Sequence, residues 1–583
     1  MTNKPKPAGG DGAGNGGASG NGSRPRARRA NGNGSAPAQV RRRRDQFLIA
    51  SRQAPGITPL AATGMVNLLN NIPDIEIVKE IEAPVRMGLQ SLGDMGAELA
   101  GVVIAKMEPQ KATALQRSGQ TSFHVERDEH LIYGIDPHVL PAAIGNPGVV
   151  VTDSSGFEAR FEIRGPDGPL GGAEVHVFGS LFPGMGFTDD SGKVVIEMPG
   201  ETADRVRSIY VKPKSGHWDF WITNPEVVEG EVNPILLRPL TMPEGSGSRG
   251  PLGWGQKAMG LDQLPSEFDG SGIRIAVIDS GAAQGTHRNL GAVGPGRNII
   301  EGGPDDWTED KIGHGSHCAC VVAGRSGEAG GIAGFAPAAE VHILRVFPGG
   351  RFSDLISALN YCVENSVDVV SMSLGGGASN AILTERIAHA RSLGIACIVA
   401  AGNSASPVQF PANLPTTLAV GAIGRFGEFP EDSFHSQQVL EGYTGRTGYF
   451  PAGFSCFGPE IDVCAPGVAV LSAVPPDDFA AWDGTSMATP HVAGLAALVL
   501  GHHPAFQGPS APSGAARVQQ LFDVIRASCI ALPFGAQRVG RGLPFAPAAL
   551  GRTDRVATSS TLDGVPPESL AALLKLVRMM QGA

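Results

Sequence analysis

The chain has 583 residues, 42% of them hydrophobic and 17% charged, with 81 Gly and 45 Pro; this loop-rich globular composition excludes a coiled coil and a wholly disordered chain. The net charge of −10 is unevenly spread: residues 1–45 carry ten Lys/Arg against Asp11 and Asp45, a charge of +8, and the rest of the chain carries −18. An acidic body argues against a specific nucleic-acid binder, and no apolar run reaches the roughly 18 residues that a membrane span needs.

Residues 1–45 are low-complexity Gly, Asn, Ser and Arg, too poor in apolar area to offset ordering entropy, and read as a disordered basic leader. They hold no apolar core of a secretory signal. The seven cysteines all follow residue 300 and show neither metal-ligand spacing nor a disulfide framework. Free thiols packed as small hydrophobes fit a reducing compartment, so a cytoplasmic location is expected.

Residues 46–135 read as a small α/β unit. FLIAS (47–51) is a predicted strand and TPLAATGMVNLLNNI (58–72) a helix with Thr58 as its cap. IEIVKEIE (75–82), ELAGVVIAKM (98–107) and SFHVERD (122–128) are predicted strands, and PQKATALQRS (109–118) is a second helix. The order β-α-β-β-α-β is the ferredoxin-like pattern. Residues 150–240 alternate in short runs such as FEARFEIRG, AEVHVFG and KVVIEMPG, separated by turn chemistry; they predict a small β-sandwich. Residues 241–255 read as a linker by composition.

From about 256 to 550 the pattern becomes α/β. IRIAVID (273–279), EVHILRV (340–346), VDVVSMSL (367–374) and IACIVAA (395–401) are continuous apolar runs, with helical segments at 352–365 and 382–394 between them. Such strands suit a parallel sheet covered on both faces, a doubly wound domain. The tail 551–583 contains a helical pattern at 568–580.

Chemistry in such folds sits where strands end and helices begin. Three segments answer to that: Asp279 closes the first apolar strand, His314 opens the run that continues CACVVAG, and Ser486 opens another that continues into VAGLAALVL. A serine hydroxyl needs a base to take its proton, an imidazole titrates near neutrality, and a buried carboxylate fixes the imidazole tautomer.

DSG (279–281), HGSH (314–317) and GTSMATPHVAG (484–494), in that order, resemble the subtilisin family, the subtilases. GIAGFAPAAEVHILRV (331–346), SMSLGG (371–376), AAGN (400–403) and APGVAVLS (465–472) resemble it too. The resemblance implies that Asp279 orients His314, that His314 is general base and then acid, and that Ser486 is the nucleophile. It implies that Asn403 and the Ser486 backbone N–H form the oxyanion hole, that Ser373-Leu374-Gly375 pairs with substrate backbone, and that Gly402 walls the pocket for the residue before the scissile bond. Gln409 stands where a Gly is common at the base of that pocket, Cys318 where an aliphatic residue is usual, and Cys456 where Asn is frequent. FHVERDEHLIYG (123–134) resembles the end of a subtilase propeptide, which implies that 46–135 is an intramolecular inhibitor and that self-cleavage falls near Tyr133. The segment 150–240 resembles a transthyretin-like or carboxypeptidase-regulatory module.

The expected activity is therefore a serine endopeptidase made as a self-inhibited precursor, acting on protein or peptide substrates and requiring no cofactor. The alternatives are a non-catalytic scaffold that binds partners through the sandwich, and a transpeptidase or cyclase that uses the same acyl-enzyme. His287, His317 and His491 read as structural. Asp305, Asp306, Glu309 and Asp310 read as a solvated acidic loop, with calcium as the family-implied alternative.

Overall fold

The computed structural model describes residues 43–52, 59–85, 99–118, 123–133, 156–245, 248–291, 293–300, 306–326, 330–440, 442 and 447–552. The basic leader up to residue 42, Thr58, Asp305 and the pattern at 568–580 lie outside them.

The first unit is a four-stranded antiparallel sheet. Its elements are β1 (Asp45–Ser51), α1 (Ala62–Leu69), β2 (Glu76–Ile81), β3 (Val102–Met107), α2 (Pro109–Ser118) and β4 (Phe123–Arg127), with strand order β2-β3-β1-β4. Both faces of this sheet are apolar, because alternate residues of β1 and β3 point opposite ways. Phe47, Ile49, Val103 and Ala105 share a core with Met65 and Leu69 of α1. Leu48, Ala50, Val102 and Ile104 instead belong to a core that includes Leu355, Ile356 and Leu359 of the large domain. Two expectations need correction. The first helix starts at Ala62, later than the 58–72 pattern, and the Glu82 carboxylate accepts the Ala62 and Thr63 N–H groups at 3.1 and 3.3 Å, so a distant acid satisfies two of its open donors. The third strand begins at Val102, not at 98.

The second unit contains β5 (Phe157–Gly165), β6 (Gly168–Pro169), β7 (Glu174–Phe178), β8 (Pro183–Phe187), β9 (Lys193–Met198), β10 (Ser208–Lys212), β11 (Phe220–Thr223) and β12 (Val232–Leu236). One sheet runs β11-β10-β7-β8; in the other, β5 pairs with β6, β9 and β12. Alternating burial along β5 and β9 places Phe161, Ile163, Val194 and Ile196 in a core shared with Val175 and Val211 of the facing sheet. The stretch 241–255, linker-like in composition, is tied down. Trp254 opens α3 (Trp254–Ala258) and donates its indole N–H to Val468 and Ala469 carbonyls at 3.2 and 3.1 Å.

The large domain is an eight-stranded sheet. Its strands are β13 (Arg274–Asp279), β14 (Gly296–Asn298), β15 (Glu340–Arg345), β16 (Val369–Met372), β17 (Ala396–Ala400), β18 (Leu418–Arg425), β19 (Tyr449–Pro451) and β20 (Ile461–Pro466). The order is β14-β15-β13-β16-β17-β18, with parallel β20 and antiparallel β19 both on β18. The parallel strands carry helices on both faces. Ile275, Val277 and Ile343 join a core with α4 (His314–Ala323) and α7 (Thr485–His502). Ala276, Ile278 and Leu344 face α5 (Phe352–Glu364) and α6 (Ala381–Ser392). This is the doubly wound α/β arrangement, and it accounts for strands that read as unbroken apolar runs. A hairpin of β21 (Val470–Val474) and β22 (Asp478–Trp482) precedes α7. No described helix is long and apolar enough to cross a membrane.

Candidate active site

The chemistry-bearing residues converge at the carboxyl end of the parallel strands. β13 delivers Asp279, fully buried at 0% exposure, as its last residue. Gly313, in a left-handed conformation at φ 84°, turns the chain so that α4 opens on His314. His314 donates Nδ1–H to Asp279 Oδ1 at 2.7 Å, and the same oxygen accepts the Ser280 N–H at 2.8 Å. Engagement of Nδ1 leaves Nε2 as the basic nitrogen, and it has no hydrogen-bond partner among the described residues.

Ser486 is the second residue of α7, which starts after Gly484 at φ 151°. Its hydroxyl donates to the Ser373 carbonyl at 3.4 Å, while Ser373 Oγ donates to the Ser486 carbonyl at 2.9 Å. The turn that carries Ser486 is therefore fixed to the segment 373–375. The Asn403 carbonyl accepts both the Thr485 N–H and hydroxyl at 2.8 Å, which turns its amide nitrogen toward Gly484. A Cβ at Gly484 would lie 3.6 Å from that nitrogen and 3.3 Å from the Met487 sulfur, so a glycine keeps this corner open.

Asp310, read from the sequence as part of a solvated loop, is buried at 4% exposure. One oxygen accepts Ser280 Oγ–H and the Ile312 and Gly313 N–H groups; the other accepts the Ser316 N–H and hydroxyl, all within 2.7–3.1 Å. It ties the Asp279 turn to the start of α4. Asp306 pairs with Arg345 at 3.0 Å and accepts from Asn298 at 2.7 Å. The oxygens of Asp306 and Asp310 thus serve protein donors, and the exposed Glu309 faces Lys311 at 3.5 Å. Among the described residues, the one trio of potential metal-ligating atoms within 4.8 Å is Asp279, His314 and Cys318, two of which are the catalytic candidates.

Cys318 Sγ lies 3.4 Å from the Ser486 carbonyl and 3.5 Å from Ser373 Oγ. Burial, with the Asp279 charge, pushes its thiol pKa well up, so it is a packed, protonated group. His317 and His491 are structural, as expected. They bond the Val470 and Met487 carbonyls at 2.8 Å, and burial holds them neutral at about 3 and about 4. His287 likewise bonds the Asp478 carbonyl at 2.8 Å.

Gly375, Gly402 and Gln409 meet at one place. A Cβ at Gly402 would lie 2.6 Å from Gln409 Oε1 and one at Gly375 would lie 3.1 Å from it, and Gln409 donates Nε2–H to Ser404 Oγ at 2.9 Å. Gln409 thus fills the space between the two glycine edges with a polar amide. Cys456 packs beside it: its sulfur would lie 3.0 Å from a Gly402 Cβ and is 3.3 Å from Ser404 Oγ. Nothing in the structure explains the choice of cysteine at 456.

Residues 129–133 lie across this same cleft. The Leu131 N–H donates to Gly350 at 2.8 Å, and Ile132 exchanges both backbone bonds with Gly375 at 2.7 and 2.8 Å. The Tyr133 ring then stands edge-on to His314, centroids 5.4 Å apart, and packs on Phe347 at 4.5 Å. Asp128 anchors the approach by accepting the Ser353 N–H at 2.9 Å at the start of α5.

The sandwich docks on the large domain, a feature with no signal in the sequence. Phe178 and Phe434 form a small core with Tyr210 and Trp221, and Ser215 donates to Asp478 at 2.7 Å. At its centre His435 sits 2.7 Å from Asp483 and 3.5 Å from Asp219 of the sandwich. Burial alone lowers the His435 pKa, but the two carboxylates outweigh it and raise the pKa to about 9; burial raises Asp219 to about 6. His435 binds its proton more tightly folded than unfolded, near 6.5. Its contribution is complete below pH 6.5 and is lost as pH climbs through about 9. Asp219, at about 6, is largely ionised over the upper part of that window, where the loss falls. Thermal stability is expected to fall between pH 6.5 and 9 by an amount on the order of 3 kcal/mol, and His435→Gln to flatten the profile. Melting curves across that range check this, and equal slopes for both proteins would contradict it.

The profile of the subtilase family matches residues 270–522. The chain is similar to Subtilisin NAT of Bacillus subtilis subsp. natto, 35% identical over 245 residues, which are 41% of this chain and 58% of that protein. It is similar to Subtilisin of Bacillus pumilus at 35% over 245 residues, covering 80% of that protein, and to M-protease of Shouchella clausii at 34% over 241 residues, covering 56%. The chain thus spans little more than half the length of several of these relatives. The shared region contains Asp279, His314, Asn403 and Ser486 on a doubly wound sheet, and on this ground the chain belongs to the subtilase family.

Proposed function

We propose that the chain is a serine endopeptidase that hydrolyses protein or peptide substrates and is made as a self-inhibited precursor. The observation that carries this reading is the buried Asp279–His314 hydrogen bond of 2.7 Å, with Nε2 of the imidazole left unengaged and His314 lining one cavity with Met487, the neighbour of Ser486 at the start of α7. In this reading Ser486 Oγ attacks the substrate carbonyl and its proton passes to His314 Nε2. Asp279 holds the imidazole and stabilises the imidazolium. The negative oxygen of the tetrahedral intermediate is met by the Asn403 amide and the Ser486 N–H at the positive end of α7. His314 then gives its proton to the leaving amine, and water resolves the acyl-enzyme by the reverse steps.

The segment 46–135 is assigned as the inhibitor. Its last described residues use the backbone edges at Gly350 and Gly375, as an added strand would, and place Tyr133 over His314. Self-cleavage near Tyr133 is in keeping with that placement. Gln409 narrows the pocket for the residue before the scissile bond and favours small or polar side chains there.

An organophosphorus fluoride tests the assignment. It loses fluoride as Ser486 Oγ bonds to phosphorus, so the processed wild type is expected to gain the probe mass on the peptide containing Ser486. Proteolysis that continues with no label on that peptide would overturn the reading.

A further inference from the structure

The segment 129–133 runs toward His314, held by Gly350 and Gly375 on the side that precedes the scissile bond. Beyond Tyr133 a cavity of about 550 Å³ opens between the large domain and the sandwich. His314, Met487 and Trp482 line it from the large domain, and Glu174, Tyr210 and Lys212 line it from the sandwich. This is where a substrate chain continues after the bond that is cut. The sandwich is locked in that place by Asp219 against His435, by the aromatic core around Phe434, and by Trp221 N–H donating to the Asp432 carbonyl at 2.7 Å.

The charges at this wall are not equally engaged. Glu174 bonds His176 at 2.7 Å, and that bond holds its carboxyl below the usual range. Asp219 and Asp483 both face His435. The Lys212 ammonium lies 5.5 Å over the Trp482 ring; it stands opposite Glu174 in the strand register and attracts Glu174 and Asp219 at longer range, but makes no ion pair within 4 Å among the described residues. A cation held on an aromatic face in the lining of a mostly apolar cavity is placed to meet an incoming anion.

We propose that the β-sandwich forms the leaving-group wall of the substrate cleft, and that Lys212 selects peptides with an acidic side chain shortly after the scissile bond. The inference rests on the endopeptidase reading and adds a specificity role for a module outside the subtilase domain. The chain's own sequence after Tyr133 reads Gly134-Ile135-Asp136, which supplies a probe. Two quenched fluorescent peptides, His-Leu-Ile-Tyr-Gly-Ile-Asp and the same sequence ending in Lys, are given together to processed wild type and to Lys212→Glu, and product masses locate the cut. The ratio of the two kcat/KM values is independent of the active fraction. The wild type is expected to favour the Asp peptide roughly fivefold, and Lys212→Glu to favour the Lys peptide by a similar factor. Lys212→Gln, expected near a ratio of one, serves if the charge reversal does not fold. Cleavage of both peptides at an unchanged ratio in the variants overturns the inference and leaves the endopeptidase reading intact. Cleavage of neither by the wild type overturns that reading itself.

Discussion

Replacing Ser486 by alanine is expected to lower peptide hydrolysis by about 10⁶-fold, a magnitude known for loss of the nucleophile in a subtilisin and borrowed from that relative. The loss should appear in kcat with little change in KM, because the hydroxyl contributes to bond making and not to the backbone pairing at Gly375. The fold should survive. Ser486 is buried, its hydroxyl makes one long bond of 3.4 Å to the Ser373 carbonyl, and the turn is held independently by Ser373 Oγ and by Asn403 on Thr485. A steady-state assay with a matched melting curve checks both halves; hydrolysis within tenfold of wild type in a clean preparation would remove Ser486 from the mechanism.

Leu131→Asp is expected to weaken inhibition by the 46–135 segment about 100-fold. Leu131 is 7% exposed and belongs to the apolar core that includes Phe347 and Phe352, at the point where the chain enters the cleft. A carboxylate there loses its water without gaining a partner, which costs roughly 3 kcal/mol or more. The neighbouring Ile132 side chain is 52% exposed, so Ile132→Asp changes little and serves as the control. Inhibition constants for the two variant fragments against the processed enzyme check the contrast. Equal constants would mean that the cleft contact at Leu131 does not hold the segment.

The parallel strands and the positions of Asp279, His314 and Ser486 were legible because each leaves a local mark. Residues buried on both faces produce unbroken apolar runs, and helix starts after Gly313 and Gly484 punctuate the chain. What was not legible depends on partners distant in sequence. Glu82 caps a helix twenty residues upstream, and no local pattern announces that. Asp310 reads as one more acid in a polar loop until Ser280, Gly313 and Ser316 close around it. The stretch 241–255 reads as a linker because Gly and Pro dominate it, yet Trp254 fixes it to residues 468 and 469. The sandwich reveals its strands through alternation, but its docking rests on Asp219, His435 and Asp483, which come together only when the two domains meet. A turn-rich composition gives the module and says nothing of where it sits.

The most direct test of the account is the intact mass of purified wild type beside Ser486→Ala. Loss of an N-terminal fragment by the wild type alone, with a new terminus a few residues beyond Tyr133, is the result the account predicts: the triad works, and its first substrate is the strand lying in its own cleft. Fragment loss in both proteins, or a wild type that stays at full length while hydrolysing added peptide, would contradict self-processing by this site.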